Sequence, residues 1–302
     1  MWWAVPTLLP PLMHKSNYIG RFAPTPTGPL HFGSLVAALA SYLDTKANHG
    51  IWLLRIEDLD PPREDATASQ FIPQQLIAHG LQWDKNISYQ SQNSRRYEQA
   101  LKQLKQKDLL FPCTCSRKLL QNQQGRHLGK CHNPNTAEQA TAWRLLVPDA
   151  HSEFTDRVYG HVSQNLKNQV GDFVLKRKDG LYAYQLAVVL DDHAAGITHV
   201  VRGLDLLDNT PRQLHLLHSL GLAAPEYLHV PLIVNADGQK LSKQNKASPL
   251  DLNQPVQNLL NALAFLKQET PNAQAQQSVS GILQWASEHW LVSSIPANQF
   301  GI

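Results

Sequence analysis

The residues of this 302-residue chain best suited to chemistry gather in two short motifs far apart, His31-Phe32-Gly33-Ser34 and Lys240-Leu241-Ser242-Lys243-Gln244. The first follows Arg21-Phe22-Ala23-Pro24-Thr25-Pro26-Thr27-Gly28-Pro29-Leu30, whose prolines and glycine forbid a helix before Ser34, where an Ala- and Leu-rich run begins. Backbone N–H groups at a helix N-terminus favour phosphate, His31 can donate to it, and Gly33 lets a flat base or ribose approach the backbone. The second motif carries two lysines and a hydroxyl on a loop after the turn Asn235-Ala236-Asp237-Gly238. Such point charges suit a triphosphate whose negative charge is moving onto pyrophosphate. The two motifs read as halves of one ATP site. His31, Ser34, Lys240 and Lys243 are its catalytic candidates, with His31, Gly33 and Lys243 against the nucleotide and Mg2+ carried on ATP.

A second constellation has the look of a metal site. All three cysteines fall between 113 and 131, as Cys113-Thr114-Cys115 followed, after eleven residues, by His127 and then Cys131. Thiolate and imidazole are the ligands of a closed, structural Zn2+ site. Cys113, Cys115, His127 and Cys131 are therefore the expected ligands of one zinc ion, with His132 as the alternative fourth, and the His127/Cys131 spacing predicts a shared helix face. An odd cysteine count argues against a disulfide framework and for a reduced, cytoplasmic setting. The same stretch carries Arg117, Lys118, Arg126 and Lys130 without an acidic residue, and Lys176-Arg177-Lys178 forms a second basic cluster. Both suit an RNA partner, although a solvated hairpin surface would explain the second equally simply.

Alternating strands and helices must position these groups. The pattern predicts a strand over 18–23, a helix over 34–47 capped by Ser34, and a strand over 51–57. The last alternates Leu53, Arg55 and Glu57 on one face with Trp52, Leu54 and Ile56 on the other. Strand, crossover helix and parallel strand make a right-handed unit of a doubly wound sheet, with ligands at the C-terminal strand ends, where Glu57 lies. A helix over 65–78 should kink or break at Pro73. Strands over 172–178 and 181–190 flank the hairpin turn Asp179-Gly180, a strand covers 197–202, and a helix opens at Thr210-Pro211 and ends at Gly221. His215 and His218 read as helix residues, and His193 as a loop residue after two aspartates. Amphipathic helices are expected over 252–267 and 277–290.

In its motif order and flanks the chain resembles the class I aminoacyl-tRNA synthetases of the glutamyl type, with His31 to Ser34 as the HIGH-like signature and Lys240 to Gln244 as the KMSKS-like one. The flanks are Gly20 to Gly28, Leu54-Arg55-Ile56-Glu57-Asp58 and Val200 to Leu207, and the likeness runs from Tyr18 to about Leu252. The resemblance implies a Rossmann-like α/β fold with a doubly wound parallel sheet, an inserted zinc-bearing subdomain and a short C-terminal helical region. The expected divisions are an extension at 1–17 taken as disordered, halves of the nucleotide-binding domain at 18–105 and 181–250, the insertion at 106–180, and the helical region at 251–302. It implies L-glutamate as substrate, held by Arg21, Phe22, Ala23, Pro24, Thr25, Glu57, Tyr184 and Arg202. Two carboxylates and an ammonium call for that chemistry, because arginine pairs bidentately with carboxylate. In the relatives a tyrosine stands where this chain has His127. Only about sixty residues follow the second motif, where full-length glutamyl enzymes continue into anticodon-binding domains. The shortened form resembles the glutamyl-Q tRNA(Asp) synthetases, which implies transfer of glutamate to queuosine in tRNA(Asp).

Net charge +3 and pI near 8.7 permit an RNA partner without demanding one. No run approaches the roughly 18 apolar residues of a membrane span. Residues 1–12 are apolar but have three prolines and no basic n-region, so a secretory signal is not expected, and Met13 is a second candidate start. A monomer is expected. Three alternatives stay open: a truncated synthetase charging a tRNA 3′ end, a non-catalytic RNA-binding paralogue, and a small-molecule adenylate-forming ligase.

Overall fold

The computed structural model describes residues 18–65, 67–115, 118, 120, 126–129, 131, 141–233 and 248–297. The 1–17 extension, the Lys240 to Gln244 motif with Lys240 and Lys243, and the alternative ligand His132 lie outside the described residues. In chain order the elements are β1 (Ile19–Phe22), α1 (Phe32–Ala47), β2 (Ile51–Ile56), α2 (Ala68–Ala78), β3 (Ser88–Tyr89), α3 (Ser94–Gln106), β4 (Leu110–Cys113), β5 (Ala142–Leu145), β6 (His151–Asp156), β7 (Gly160–Asn165), β8 (Phe173–Lys176), α4 (Tyr184–Ala194), β9 (His199–Gly203), α5 (Thr210–Leu220), β10 (Glu226–Val230), α6 (Pro255–Phe265) and α7 (Val279–Glu288).

Strands β1, β2 and β3 pair in parallel in that order. A second sheet runs β7-β6-β10-β9, in which β6, β10 and β9 are parallel and β7 closes an antiparallel hairpin with β6. The two sheets meet between β1 and β9, where Thr198 N–H donates to Ile19 O at 3.0 Å and Ile19 N–H donates to Thr198 Oγ1 at 2.9 Å. The class is mixed α/β with parallel sheet, as the strand-helix-strand pattern predicts. A separate antiparallel sheet, β4-β5-β8, carries the cysteine segment at its end.

The alternation in β2 holds: Trp52, Leu54 and Ile56 enter the main core, while Arg55 and Glu57 point into a buried polar region. That core also takes Leu35, Leu39 and Leu43 of α1, Leu259 and Leu263 of α6, and Ile282 and Ala286 of α7. The C-terminal helices therefore finish the core built on α1 and β2. Each fully buried leucine stabilises the fold by about 1.5–3 kcal/mol relative to exposure. A second core joins α3, α4 and α5 to β4, β5 and β8. Among the described residues no helix is long and apolar enough to cross a membrane.

Five local expectations need correction. Helix α1 starts at Phe32, and its cap is His31, whose Nδ1 accepts from Ser34 N–H at 3.2 Å; Ser34 lies inside the first turn. Pro73 does not break its helix: α2 runs from Ala68 to Ala78 through the proline, whose missing N–H removes one ladder bond that the remaining turns outweigh. The expected strand over 181–190 is mostly helix, α4, with only Tyr182 bridging back to Lys176. His193 sits in the last turn of α4 rather than in a loop. His127 and Cys131 share no helix. Gly129 between them adopts φ +82, and the Asp172 carboxylate takes its N–H at 2.8 Å.

Candidate functional site

Strand β1 lies beside β9 with α1 packed on both, and the chain beyond it is pinned to the end of β2 by Glu57 N–H donating to Pro24 O at 3.0 Å. Arg21 is 3% exposed. Its Nε donates to Asp192 Oδ1 at 3.1 Å, its Nη2 to Asp192 Oδ2 at 3.2 Å, and its Nη1 to Val201 O at 3.5 Å. Arg55 shares the same aspartate through Nη1 at 2.5 Å and reaches Glu57 Oε1 through Nη2 at 3.0 Å. Burial penalises the ionised Asp192, but the charges and hydrogen bonds of Arg21 and Arg55 outweigh it and hold its carboxyl below the ordinary range. Burial acts the other way on Glu57 and raises its carboxyl, with Arg55 and Arg21 offsetting only part. Glu57 is thus an acid whose ionisation gains from a further cation.

Arg202, on β9 and 5% exposed, has different company. Nε donates to His229 Nε2 at 3.0 Å, Nη1 to Gln213 Oε1 at 2.8 Å, and Nη2 to Leu206 O at 3.2 Å and Thr210 Oγ1 at 2.9 Å. The Tyr227 ring lies under the guanidinium, 5.3 Å from its centroid. Every one of these partners is neutral. A guanidinium has five N–H donors, so one on Nη1 remains uncommitted among the described residues. A buried cation without a contacting counter-ion is a receptor for an anion. Tyr184 opens α4 beside this group. Burial raises its hydroxyl pKa, while Arg202 and Arg21 pull it down and Glu57 and Asp192 push it up. Arg21, Glu57, Tyr184 and Arg202 thus share one electrostatic neighbourhood.

The other expected substrate residues spread out. Phe22 turns its side chain into the main core, so only its backbone faces the loop; Ala23 and Pro24 are half-buried and Thr25 is exposed. His31, Gly33 and Ser34 occupy the start of α1, where the Phe32 and Gly33 N–H groups precede the intrahelical ladder. The chain emerging from the second motif returns to this point: Pro249 bridges His31, and Leu250 N–H donates to Leu30 O at 3.0 Å. Arg55 and Asp192 were not among the sequence candidates. The strand alternation that singled out Glu57 also marks Arg55, whereas Asp192 gave no signal while its segment read as strand and loop.

At the end of β4 the ligand atoms of Cys113, Cys115, His127 and Cys131 all lie within 4.8 Å of one another. Cys115 and Cys131 Sγ atoms are 3.6 Å apart, too far for a disulfide. Two thiolates on one tetrahedral zinc at about 2.3 Å each would stand about 3.8 Å apart. Burial, with the Cys131 and Cys113 sulfurs, pushes the Cys115 thiol up to about 12, a penalty a bound cation would reverse. His127 Nδ1 faces Asp172 Oδ2 at 3.1 Å, which leaves Nε2 as the ligand nitrogen. This donor set can hold zinc.

Residues 19–264 match the family model for tRNA synthetases class I (E and Q), catalytic domain. Among curated relatives, a glutamyl-Q tRNA(Asp) synthetase of Pseudomonas aeruginosa is 52% identical over 281 residues, covering 93% of this chain and 96% of the relative. Proteins of the same name from Pseudomonas fluorescens and Pseudomonas putida are 52% and 50% identical over 93% and 94% of this chain. Of solved structures, a glutamate-tRNA synthetase from Elizabethkingia anophelis superposes with TM-score 0.76 at 23% identity, covering 93% of this chain and 67% of that one. A glutamate tRNA ligase from Elizabethkingia meningosepticum gives TM-score 0.75 at 24% identity, covering 93% and 66%. These two likenesses concern the fold.

Proposed function

This chain belongs to the class I (E and Q) tRNA synthetases, a family of ligases, and from that premise we propose that it activates L-glutamate with ATP, without needing tRNA, and transfers the glutamyl group to the queuosine base in the anticodon loop of tRNA(Asp). The observation that carries the amino-acid half is Arg202, buried among neutral partners beside the Arg21–Asp192 pair. An arginine so placed favours a carboxylate over a neutral amide, which selects glutamate against glutamine. Glu57 offers its negative charge to the substrate ammonium, and Tyr184 and the Ala23 to Thr25 loop complete the pocket. The queuosine half is supported by the names of relatives at 50–52% identity.

In the first step an oxygen of the glutamate α-carboxylate attacks the α-phosphorus of ATP. The bond to the bridging oxygen breaks, and pyrophosphate leaves with the electron pair. The nucleophile is already ionised, so no protein base is required; the enzyme positions the reactants and neutralises the leaving charge. His31 with the first turn of α1, and Lys240 and Lys243 of the second motif, are assigned that work, and Mg2+ arrives on ATP. In the second step a hydroxyl of the queuosine cyclopentenediol attacks the acyl carbonyl, the ester bond forms as the bond from the acyl carbon to the AMP phosphate oxygen breaks, and the hydroxyl proton passes to the departing AMP phosphate. Cys113, Cys115, His127 and Cys131 would hold one Zn2+, which would serve as a closed structural centre at the end of β4.

The test supplies labelled glutamate and ATP with tRNA(Asp) containing or lacking queuosine, each with and without its 3′-terminal adenosine. Label on both queuosine-containing preparations and on neither of the others is the expected result. Label that needs the terminal adenosine and ignores queuosine would establish 3′ charging instead. Absence of glutamate-dependent pyrophosphate exchange in the tRNA-free reaction would overturn activation without tRNA.

A further inference from the structure

Parallel pairing of β10 with β9 sets His229 directly opposite Arg202. His229 is wholly buried, and Asp156, at the end of β6, is 1% exposed. The imidazole bridges the two: Nδ1 lies 2.6 Å from Asp156 Oδ2, and Nε2 lies 3.0 Å from Arg202 Nε. A guanidinium Nε always carries its hydrogen, so His229 Nε2 must accept. The ring proton is then on Nδ1 and donates to Asp156, which leaves histidine neutral in one tautomer. Asp156 Oδ1 takes the backbone N–H groups of Val158 and Tyr159, both at 3.0 Å, so the carboxylate is locked in turn.

We propose that His229, oriented by Asp156, is a positioning residue that holds the Nε edge of Arg202 so that its uncommitted Nη1 hydrogen faces the carboxylate of the amino-acid substrate. This rests on the glutamate-activation reading of the site. A bond between β6 and β10 alone would need only the Asp156–His229 contact. Here the second ring nitrogen is spent on Arg202, whose remaining partners, Gln213, Thr210 and Leu206, come from α5 and the turn before it. The guanidinium is thus clamped along both edges by separate elements. The nearest hydrogen-bonded anion behind it, Asp156, is relayed through imidazole and sits on the side away from the uncommitted N–H. A contacting carboxylate would quench the charge the substrate must meet; a relayed one polarises the imidazole, strengthens its acceptor nitrogen and leaves the binding edge open.

The experiment measures glutamate-dependent pyrophosphate exchange and thermal unfolding for wild type, His229→Leu, His229→Gln and Asp156→Asn. Leucine removes both ring contacts, glutamine restores one acceptor and one donor, and asparagine keeps the shape of Asp156 while removing its charge. The expected result is a rise of about tenfold in KM for glutamate for His229→Leu, a smaller rise for Asp156→Asn, recovery of most of the loss by His229→Gln, and an unchanged KM for ATP. Should the leucine variant fail to fold, the glutamine and asparagine variants carry the comparison. Folded variants whose KM for glutamate equals that of wild type, or whose ATP and glutamate constants rise together, overturn the positioning role. Wild-type protein without glutamate-dependent exchange overturns the activation reading, and the proposal with it, which is a separate and recognisable result.

Discussion

Asp192 accepts from two guanidiniums at once, Arg21 Nε at 3.1 Å and Arg55 Nη1 at 2.5 Å, while itself 7% exposed. With the Asp192 charge removed, Arg55 would keep its contact with Glu57, but Arg21 would be left without a contacting carboxylate among the described residues. Separating one partner from a buried ion pair costs about 3–5 kcal/mol, because the other is left uncompensated. Asp192→Asn is therefore expected to lose stability on that scale, read as a drop in the urea midpoint; a midpoint within error of wild type would show that the two arginines do not depend on it. Lys243→Ala is the opposite case. On the proposed chemistry that lysine meets pyrophosphate only as charge builds there, so the variant should unfold like wild type while adenylate formation slows at least about a hundredfold. Pyrophosphate exchange at the wild-type rate in that variant would release the second motif from its assignment.

Secondary structure was most legible where apolar and charged residues alternate. In β2 the alternation of Trp52, Leu54 and Ile56 with Arg55 and Glu57 needs no tertiary information. Helix α4 has no such alternation: Leu186 through Asp192 are all buried, so the run reads equally as a sheet-core strand, and the Asp179-Gly180 turn signal tipped the reading. Asp192 was missed for the same reason, since its partners come from β1 and β2. The cysteine cluster shows the converse. Residue types and spacing name its members, but the carboxylate that shapes it, Asp172, lies 45 positions after His127. Asp172 Oδ2 faces His127 Nδ1 and takes Gly129 N–H, while Oδ1 takes Val147 N–H at 2.9 Å. Outer-shell partners of this kind are typically worth about 10–100-fold in metal affinity. Protein purified without chelator is accordingly expected to hold about one zinc per chain by elemental analysis, and Asp172→Asn to surrender it to a competing chelator at correspondingly lower concentration. Metal-free wild-type protein would refute the centre, and wild-type retention by the variant would refute the part given to Asp172.

Distant parts of the molecule are tied by a few buried polar groups, and their protonation links the fold to pH. Asp44 of α1, fully buried, accepts from the Tyr18 hydroxyl, from Arg157 Nη1 at 2.6 Å and from Trp290 Nε1 at 2.9 Å, joining the chain before β1, the β6–β7 turn and the C-terminal region. Two wholly buried histidines do similar work. His79 donates from Nδ1 to Gln75 O at 2.7 Å and accepts at Nε2 from Asn258 of α6 at 3.0 Å, and His229 is set between Asp156 and Arg202. In each, the accepting nitrogen would meet another donor if it took a proton, and burial holds both rings below the ordinary histidine range. The unfolded chain, with ordinary histidines near 6.5, then binds more protons than the folded one. Their contribution is complete above about pH 6.5 and is lost as pH falls through the folded values, with a limiting slope of about 1.4 kcal/mol per pH unit for each ring. Glu57 and Glu64, raised by burial, have the opposite sign, but these two carboxyls face four lowered histidines, since burial also lowers His199 and His215. Unfolding midpoints are thus expected to fall from pH 7.5 to 5.5, and His79→Gln, which keeps an acceptor and a donor without a titrating ring, to flatten the decline by about one histidine's share. A profile as steep in that variant as in wild type would mean that His79 is not kept neutral by its contact with α6, and that the acid sensitivity lies elsewhere in the molecule.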